Sequence, residues 1–382
     1  VPEEFEGELP EAFAALGVDE TGLKAMAFMR FTEPTPIQRE AIPKMYAEHD
    51  VVGLAQTGTG KTIAFGLPLA RAIDPSRREA QALVLVPTRE LANQVLEVID
   101  YLGRFYDFSV VGLMGGKRLQ TDFTRLEEGA HVVVGTPGRV MDHIRRGTLD
   151  LSTVHFVILD EADQMLDIGF ARDIDYILRK VPRARQTALF SATMPMSIRK
   201  LVYQYMQRPV EISIEPEQRT AEGIAQYYCE VAERDKIKAL RHLYEEMDLG
   251  RSLIFRRTKI GVDRLTQQLQ DAGLGARAIH GDLRQSERDR VMRDFREGNL
   301  QFLVATNVAA RGLDIPDIQH VINYDVPQNA EEYIHRVGRT ARAGKKGSSV
   351  TFVSEWELHE WDAILRDLGE EPEQLEIPAR LN

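Results

Sequence analysis

The sequence has a single cysteine, Cys229, and only two tryptophans in 382 residues. One thiol excludes an internal disulfide and any cysteine-rich zinc site, fits a reducing compartment, and reads as a core residue. No apolar run approaches the ~20 residues that span a bilayer. The opening VPEEFEGELPEAF has no initiator methionine, no basic n-region and no apolar h-region, so a trimmed start without a secretory signal is expected. Basic excess is missing too: 48 Lys+Arg against 59 Asp+Glu give a formal net charge of −11. Any nucleic-acid binding must therefore use a local groove and not the whole surface field. These absences together point to a soluble, cytoplasmic chain, monomeric by default.

What is present is an ordinary globular composition, 43% hydrophobic and 28% charged, at a length that suggests two domains of roughly 100–200 residues. From Val51 onward, β-rich apolar runs (VVGLA, ALVLVP, SVVGLMG, HVVVGTP, HFVILD, QTALFSAT) alternate with helical patterns such as RELANQVLEVIDYLGRF. This alternation predicts an α/β fold with a mainly parallel sheet flanked by helices. The runs are apolar throughout, as strands buried on both faces require. After PVEISIE the polar stretch at 215–223 reads as a linker. The pattern then restarts with AQYYCEV, SLIFRR, ARAIHG, QFLVAT, HVINYD and SSVTFVS. The expected organisation is a first domain over 1–214, a second over 224–368, and a peripheral acidic tail over 369–382.

AQTGTGKT, Ala55 to Thr62, nearly fits the phosphate-loop pattern G-x-x-x-x-G-K-[ST], with alanine in place of the first glycine. A strand precedes it and a helix follows. Gly58 and Gly60 let the backbone wrap phosphates, and amides at the helix start point at the anion. Lys61 reaches the β/γ-phosphates and the Thr62 hydroxyl suits Mg²⁺. In FVILDEADQML a buried strand ends on Asp160, suited to hold Mg²⁺, and Glu161, suited to position the attacking water.

AQTGTGKT, DEAD, SAT and HRVGRTARAG, in this order, resemble the DEAD-box family of ATP-dependent RNA helicases, which uses alanine at the loop's first position. The resemblance runs from about Phe13 to Leu368 and implies two tandem RecA-like domains, with ATP and Mg²⁺ as cofactors and RNA as partner. It implies that Ala55, Gln56, Thr57, Gly58, Thr59, Gly60, Lys61 and Thr62 hold the nucleotide. In RFTEPTPIQ it implies that Gln38 reads the adenine edge and Phe31 stacks on the base, with Phe13 as the upstream aromatic of a nucleotide-binding, adenine-recognition segment at about 13–43; plain helix packing explains Phe13 nearly as well. Arg30 stands where the family usually has glycine.

In the second half the resemblance makes YIHRVGRTARAG the source of Arg339 and Arg342, which at i, i+3 spacing face one way and could neutralise the γ-phosphate. Ala341 there replaces the more usual glycine, and His335 and Arg336 belong to the same motif with interdomain or structural roles. In ATNVAARGLDIPD the match implies that Asp314 contacts the ribose and Thr306 an RNA phosphate. Asn307 takes the place of the family's aspartate, and altered coupling is expected from it. RNA contact is carried onto Pro87, Thr88, Arg89, Gly115, Gly116, Thr136, Pro137, Gly138 and Arg139, all at expected strand ends, with a sequence-tolerant chemistry of amides, hydroxyls and guanidiniums. Gln285 and Arg288 match a further element, RNA-contacting or interdomain, and a helix-surface salt-bridge network explains them equally well. Ser191, Ala192 and Thr193 are implied to couple hydrolysis to strand separation by bonding the Asp160–Asp163 loop. The expected function is RNA-stimulated ATP hydrolysis driving interdomain closure and local unwinding. The alternatives are an ATP-gated RNA clamp and, more remotely, a DNA translocase.

Overall fold

The computed structural model describes residues 8–56, 58–116, 119–214, 224–247, 249–310, 318–340, 347–369 and 372–377. The chain forms two compact units, Val1–Glu215 and Pro216–Asn382. The stretch read as the linker, 215–223, lies outside the described residues.

The first unit holds strands β1 (Val51–Leu54), β2 (Ala82–Leu85), β3 (Val110–Leu113), β4 (Val132–Gly135), β5 (Phe156–Leu159), β6 (Gln186–Ser191) and β7 (Val210–Ser213). They pair in the order β3-β4-β2-β5-β6-β1-β7, parallel throughout. Successive strand residues point to opposite faces. Val51, Val84, Val134, Ile158 and Phe190 join one apolar cluster, while Val52, Leu83, Val133, Val157 and Leu189 join another. The inner strands are apolar without alternation because both faces are roofed by helices, whereas the edge strand β7 exposes Glu211 and Ser213; each buried apolar side chain contributes roughly 1.5–3 kcal/mol.

The second unit repeats this plan with β8 (Ile224–Glu230), β9 (Ser252–Arg256), β10 (Ala276–Ile279), β11 (Phe302–Thr306), β12 (His320–Asn323), β13 (Gly347–Val353) and β14 (Glu373–Gln374). Its order, β10-β11-β9-β12-β13-β8-β14, matches the first strand for strand. Leu253, Phe255, Leu303 and Val321 again separate from Ile254, Val304, Ile322 and Val350 across the sheet.

One expectation fails at the C-terminal end. Part of the acidic tail is not peripheral: Glu373–Gln374 add the edge strand beside β8, the Leu375 N–H donates to the Tyr228 carbonyl at 2.7 Å, and Leu375 and Ile377 pack on the core. Two apolar side chains among the acidic ones suffice, because an edge strand needs only one paired side.

Candidate nucleotide and nucleic-acid site

A parallel sheet gathers its ligand groups at the carboxyl ends of its strands. In the first unit the strand order sorts them into two neighbouring sets. The ends of β5, β6 and β1, adjacent in the sheet, lead into Asp160–Glu161, Ser191–Thr193 and the loop that begins at Ala55. The ends of β3, β4 and β2, also adjacent, lead into Gly115–Gly116, Thr136–Arg139 and Pro87–Arg89.

In the phosphate loop, the Ala55 N–H donates to the Ser191 carbonyl at 3.0 Å, and the Ala55 carbonyl accepts from Lys61 Nζ at 3.2 Å. Both contacts use backbone, so alanine serves as well as glycine at this position. The Thr59 hydroxyl closes the turn onto the Gln56 carbonyl at 2.8 Å. Gly60 starts the helix Lys61–Ala72 at φ +88°, where a Cβ would lie 2.5 Å from Gln38 Nε2; only glycine satisfies both constraints. Thr57 lies outside the described residues. Thr62 is half-buried on the helix's first turn.

Lys61 Nζ stands 3.8 Å from Asp160 Oδ1, with both side chains almost entirely buried. Burial pushes the Asp160 carboxyl above the usual aspartate range, and the Lys61 ammonium and the Glu161 N–H pull against it. Glu161 is held in the left-handed region at φ +51° where β5 gives way to the helix Ala162–Asp167. Non-glycine residues occupy that region rarely, and such strain concentrates at functional sites. Asp163 Oδ2 accepts the Ala192 N–H at 3.2 Å and the Thr193 hydroxyl at 3.1 Å. The hydroxyl contact expected between SAT and the Asp160–Asp163 loop therefore exists, and Thr193 makes it.

Gln38 is buried. Its Oε1 accepts the Thr35 N–H at 3.0 Å and its Nε2 donates to the Gly60 carbonyl at 2.9 Å. The amide thus ties the PTPIQ segment to the phosphate loop, and a carboxamide keeps a second N–H and a second lone pair for a base. Phe31 is 37% exposed, whereas Phe13 is 0% exposed in the core. Of the two readings of Phe13, nucleotide contact and packing, its burial favours packing: its helix Glu11–Ala14 turns it inward against the cluster under β1.

In the second set, the Thr88 hydroxyl caps the helix Arg89–Tyr106 by accepting the Leu91 N–H at 3.2 Å. The Arg89 guanidinium lies against Gly115 and Gly116. A Cβ on Gly116, at φ +84°, would fall 2.1 Å from Arg89 Nη1. Thr136 and Pro137 start the helix Pro137–Arg145, and a Cβ on Gly138 would meet only ordinary contacts, 3.9 Å from Asp173 Oδ2 and 4.0 Å from the Phe170 ring. Arg139 departs from expectation: Nε and Nη2 each lie 2.8 Å from Asp122 Oδ2. Its charge is committed to a carboxylate, a partner the sequence did not single out.

In the second unit, Thr306 is buried at the end of β11. Arg336 is buried too, ion-paired with Glu332 and bonded to Asn323 Oδ1 (3.2 Å), the Asp325 carbonyl (2.9 Å) and Asn307 Oδ1 (3.3 Å). These bonds all lie within its own unit, and Asn307 is one of its partners. Arg339 Nε donates to the His335 carbonyl at 3.3 Å, and Arg288 Nη2 to the Ala309 carbonyl at 2.9 Å. Asp314, Ala341 and Arg342 lie outside the described residues, as does the Gln285 side chain.

The repeat places a second buried lysine at a matching point of the other unit. Lys236 begins the helix after β8, as Lys61 begins the helix after β1. The Tyr324 N–H bonds the Phe255 carbonyl as the Asp160 N–H bonds that of Leu85. Lys236 Nζ, however, meets Glu357 Oε2 at 2.6 Å, Glu233 Oε2 at 2.9 Å and the Tyr324 carbonyl at 2.9 Å. Carboxylates of the same unit take the place that phosphate oxygens take beside a loop lysine.

The DEAD/DEAH box helicase family model matches residues 35–201, and that of the helicase conserved C-terminal domain matches residues 235–344. The DEAD-box ATP-dependent RNA helicase CshA of Geobacillus kaustophilus is 45% identical over 366 residues, which cover 96% of this chain and 78% of that protein. Its counterpart in Bacillus cereus is 44% identical, covering 96% and 70%. Among solved structures, S. cerevisiae Dbp5 bound to RNA and ADP BeF3 is similar with a TM-score of 0.83 at 34% identity, over 95% of each chain. Mss116p bound to ssRNA and AMP-PNP is similar with a TM-score of 0.83 at 28% identity, over 99% of this chain and 82% of that one.

Proposed function

The chain belongs to the DEAD-box family of ATP-dependent RNA helicases, and from that premise we propose that RNA-stimulated ATP hydrolysis closes its two units and melts short RNA duplexes. The observation that carries the reading is the sorting of strand ends in the first unit into a phosphate-binding set and a hydroxyl- and guanidinium-bearing set on one sheet edge.

Phe31 stacks on the adenine and the spare capacity of Gln38 reads its edge. Lys61 exchanges the Ala55 carbonyl and Asp160 for phosphate oxygens. Among the described residues no three His, Cys, Asp or Glu cluster as a metal cage, but Mg²⁺ takes most of its ligands from water and substrate phosphates. The Thr62 hydroxyl and the desolvated Asp160 carboxylate fit that role. When bound, the ion neutralises charge on the phosphates. Glu161 orients the attacking water and accepts its proton. Arg339 and Arg342 of the second unit add positive charge to the transition state, which makes hydrolysis conditional on closure, and Asp314 holds the ribose. Thr306, with the first unit's Pro87–Arg89, Gly115–Gly116 and Thr136–Gly138, grips the RNA backbone. ATP and RNA favour the same closed state, so each tightens the other. We place this activity in the cytoplasm, in a single copy of the chain; no helix among the described residues is long and apolar enough to cross a membrane.

A short RNA duplex with a single-stranded flank tests the proposal. ATP-dependent strand release by the wild type, lost in Glu161→Gln under multiple turnover, is expected. Long-lived RNA retention without release would replace the helicase with a clamp.

A further inference from the structure

Asp122 lies outside every motif the sequence offers, on the helix Leu119–Glu127 that follows the Gly115–Gly116 turn. It is 2% exposed, and a carboxylate buried so deeply is costly unless it is paired and hydrogen-bonded. Its partners all come from the helix Pro137–Arg145: Arg139 Nε and Nη2 at 2.8 Å each, and His143 Nε2 at 3.3 Å. His143 is fully buried, its Nδ1 2.9 Å from the Thr148 hydroxyl and its ring edge-on to Phe123, next to Asp122 in sequence. Burial holds the imidazole below its usual range despite the opposing carboxylate. The helices joined by this cluster carry two of the three loop ends of the RNA-facing set.

We propose that Asp122 is the positioning residue of the RNA interface: through Arg139 and His143 it fixes the Thr136–Gly138 turn against the Gly115–Gly116 turn, so that both meet successive phosphates without Arg139 contacting RNA. The inference rests on the RNA reading above. It assigns Arg139 an internal role, because a guanidinium delivering two donors to a buried carboxylate forfeits a charge-assisted bond if it swings to a solvated phosphate. The backbone amides of the two turns, and not the arginine, then make the phosphate contacts.

The two accounts of Arg139 predict opposite signs. If Asp122 positions the turns, Asp122→Asn in the full chain weakens binding of a labelled single-stranded RNA by about five- to tenfold, a loss of about 1–1.4 kcal/mol, and leaves ATP affinity unchanged. If Asp122 merely competes with phosphate for Arg139, the same substitution tightens RNA binding. Salt dependence supplies an independent count, since each single-strand phosphate that loses a neutralising Lys or Arg lowers the log K against log salt slope by about 0.7, whereas a lost contact to a neutral amide leaves the slope unchanged. Arg139→Gln is expected to weaken binding at an unchanged slope. A slope lower by that amount, tighter binding by Asp122→Asn, or no effect of either change overturns the inference. Should Asp122→Asn fail to fold, Arg139→Lys decides: it keeps the charge but not the planar fork, so it behaves like Arg139→Gln if the role is positioning and like the wild type if the contact is to phosphate. A wild-type protein that binds no RNA would remove the underlying reading instead.

Discussion

Arg30 carries backbone strain that a glycine would not. It sits at φ +62° just past the helix Glu20–Phe28, where the Phe31 N–H bonds the Met26 carbonyl and the Arg30 N–H bonds that of Ala27. This is a Schellman ending whose left-handed residue is usually glycine. The departure at Arg30 therefore preserves the turn that presents Phe31. A non-glycine residue in that region costs roughly 1–2 kcal/mol, against roughly 0.5–1 for glycine's extra chain entropy. Arg30→Gly should thus raise first-unit stability by up to about 1.5 kcal/mol, and Arg30→Val should lower it, both read from urea midpoints. Glu161 is strained in the same way, but beside Asp160 and at the expected chemistry. Glu161→Gln should cut RNA-stimulated turnover by about 10²–10⁴-fold with ATP affinity retained; an undiminished steady-state rate would remove its role as base.

At the scale of elements, single side chains bridge the strand ends of each unit. The Thr193 hydroxyl and Ala192 N–H meet Asp163 between β5 and β6. Thr193→Val removes one bond to a charged acceptor, worth about 1.5–3 kcal/mol. It should slow unwinding about tenfold while ATP turnover stays within about twofold, and equal losses in the two assays would reject a coupling role. Asn307 Oδ1 accepts from Arg336 Nε between the end of β11 and the helix Ala330–Val337. Asn307→Asp adds charge to that bond, roughly doubling its strength. The expected result is a severalfold rise in RNA-stimulated turnover over an unaltered basal rate; unchanged turnover and unwinding would show the asparagine to be neutral.

At the scale of the molecule, the two units repeat one topology, but the buried carboxyls at their centres are shifted in opposite directions. In the second, burial alone would raise the Glu357 carboxyl, yet Lys236, Ser354 and the Val326 N–H outweigh it and hold it below the ordinary glutamate range. A depressed carboxyl stabilises above its unfolded value, and that contribution is lost as pH falls through its folded one. In the first, burial raises Asp160 and Asp50, so their protonation on acidification favours the folded state. Both tryptophans, Trp356 and Trp361, lie in the second unit, so tryptophan fluorescence reports that unit alone. Between about pH 5 and pH 3, its unfolding midpoint should fall faster than the first unit's, followed by circular dichroism. Coincident acid transitions would contradict this.

The sequence by itself determined what local chemistry can specify: apolar runs buried on both faces, a lysine and two glycines in a loop between strand and helix, a carboxylate pair at a strand end, and the order of the family's motifs. Each depends on neighbours in the chain, so each is legible in one dimension. Only the tertiary structure decided the pairings made across it. The helix Glu11–Ala14 buried Phe13, β14 drew the tail into the sheet, Glu357 reached Lys236 across 121 residues, and Asp122 claimed Arg139. In LQTDFTRLE, Asp122 resembles any solvated helix aspartate. Strand order alone made it otherwise, by laying β3 beside β4 and so bringing together two helices whose sequences give no sign that they meet.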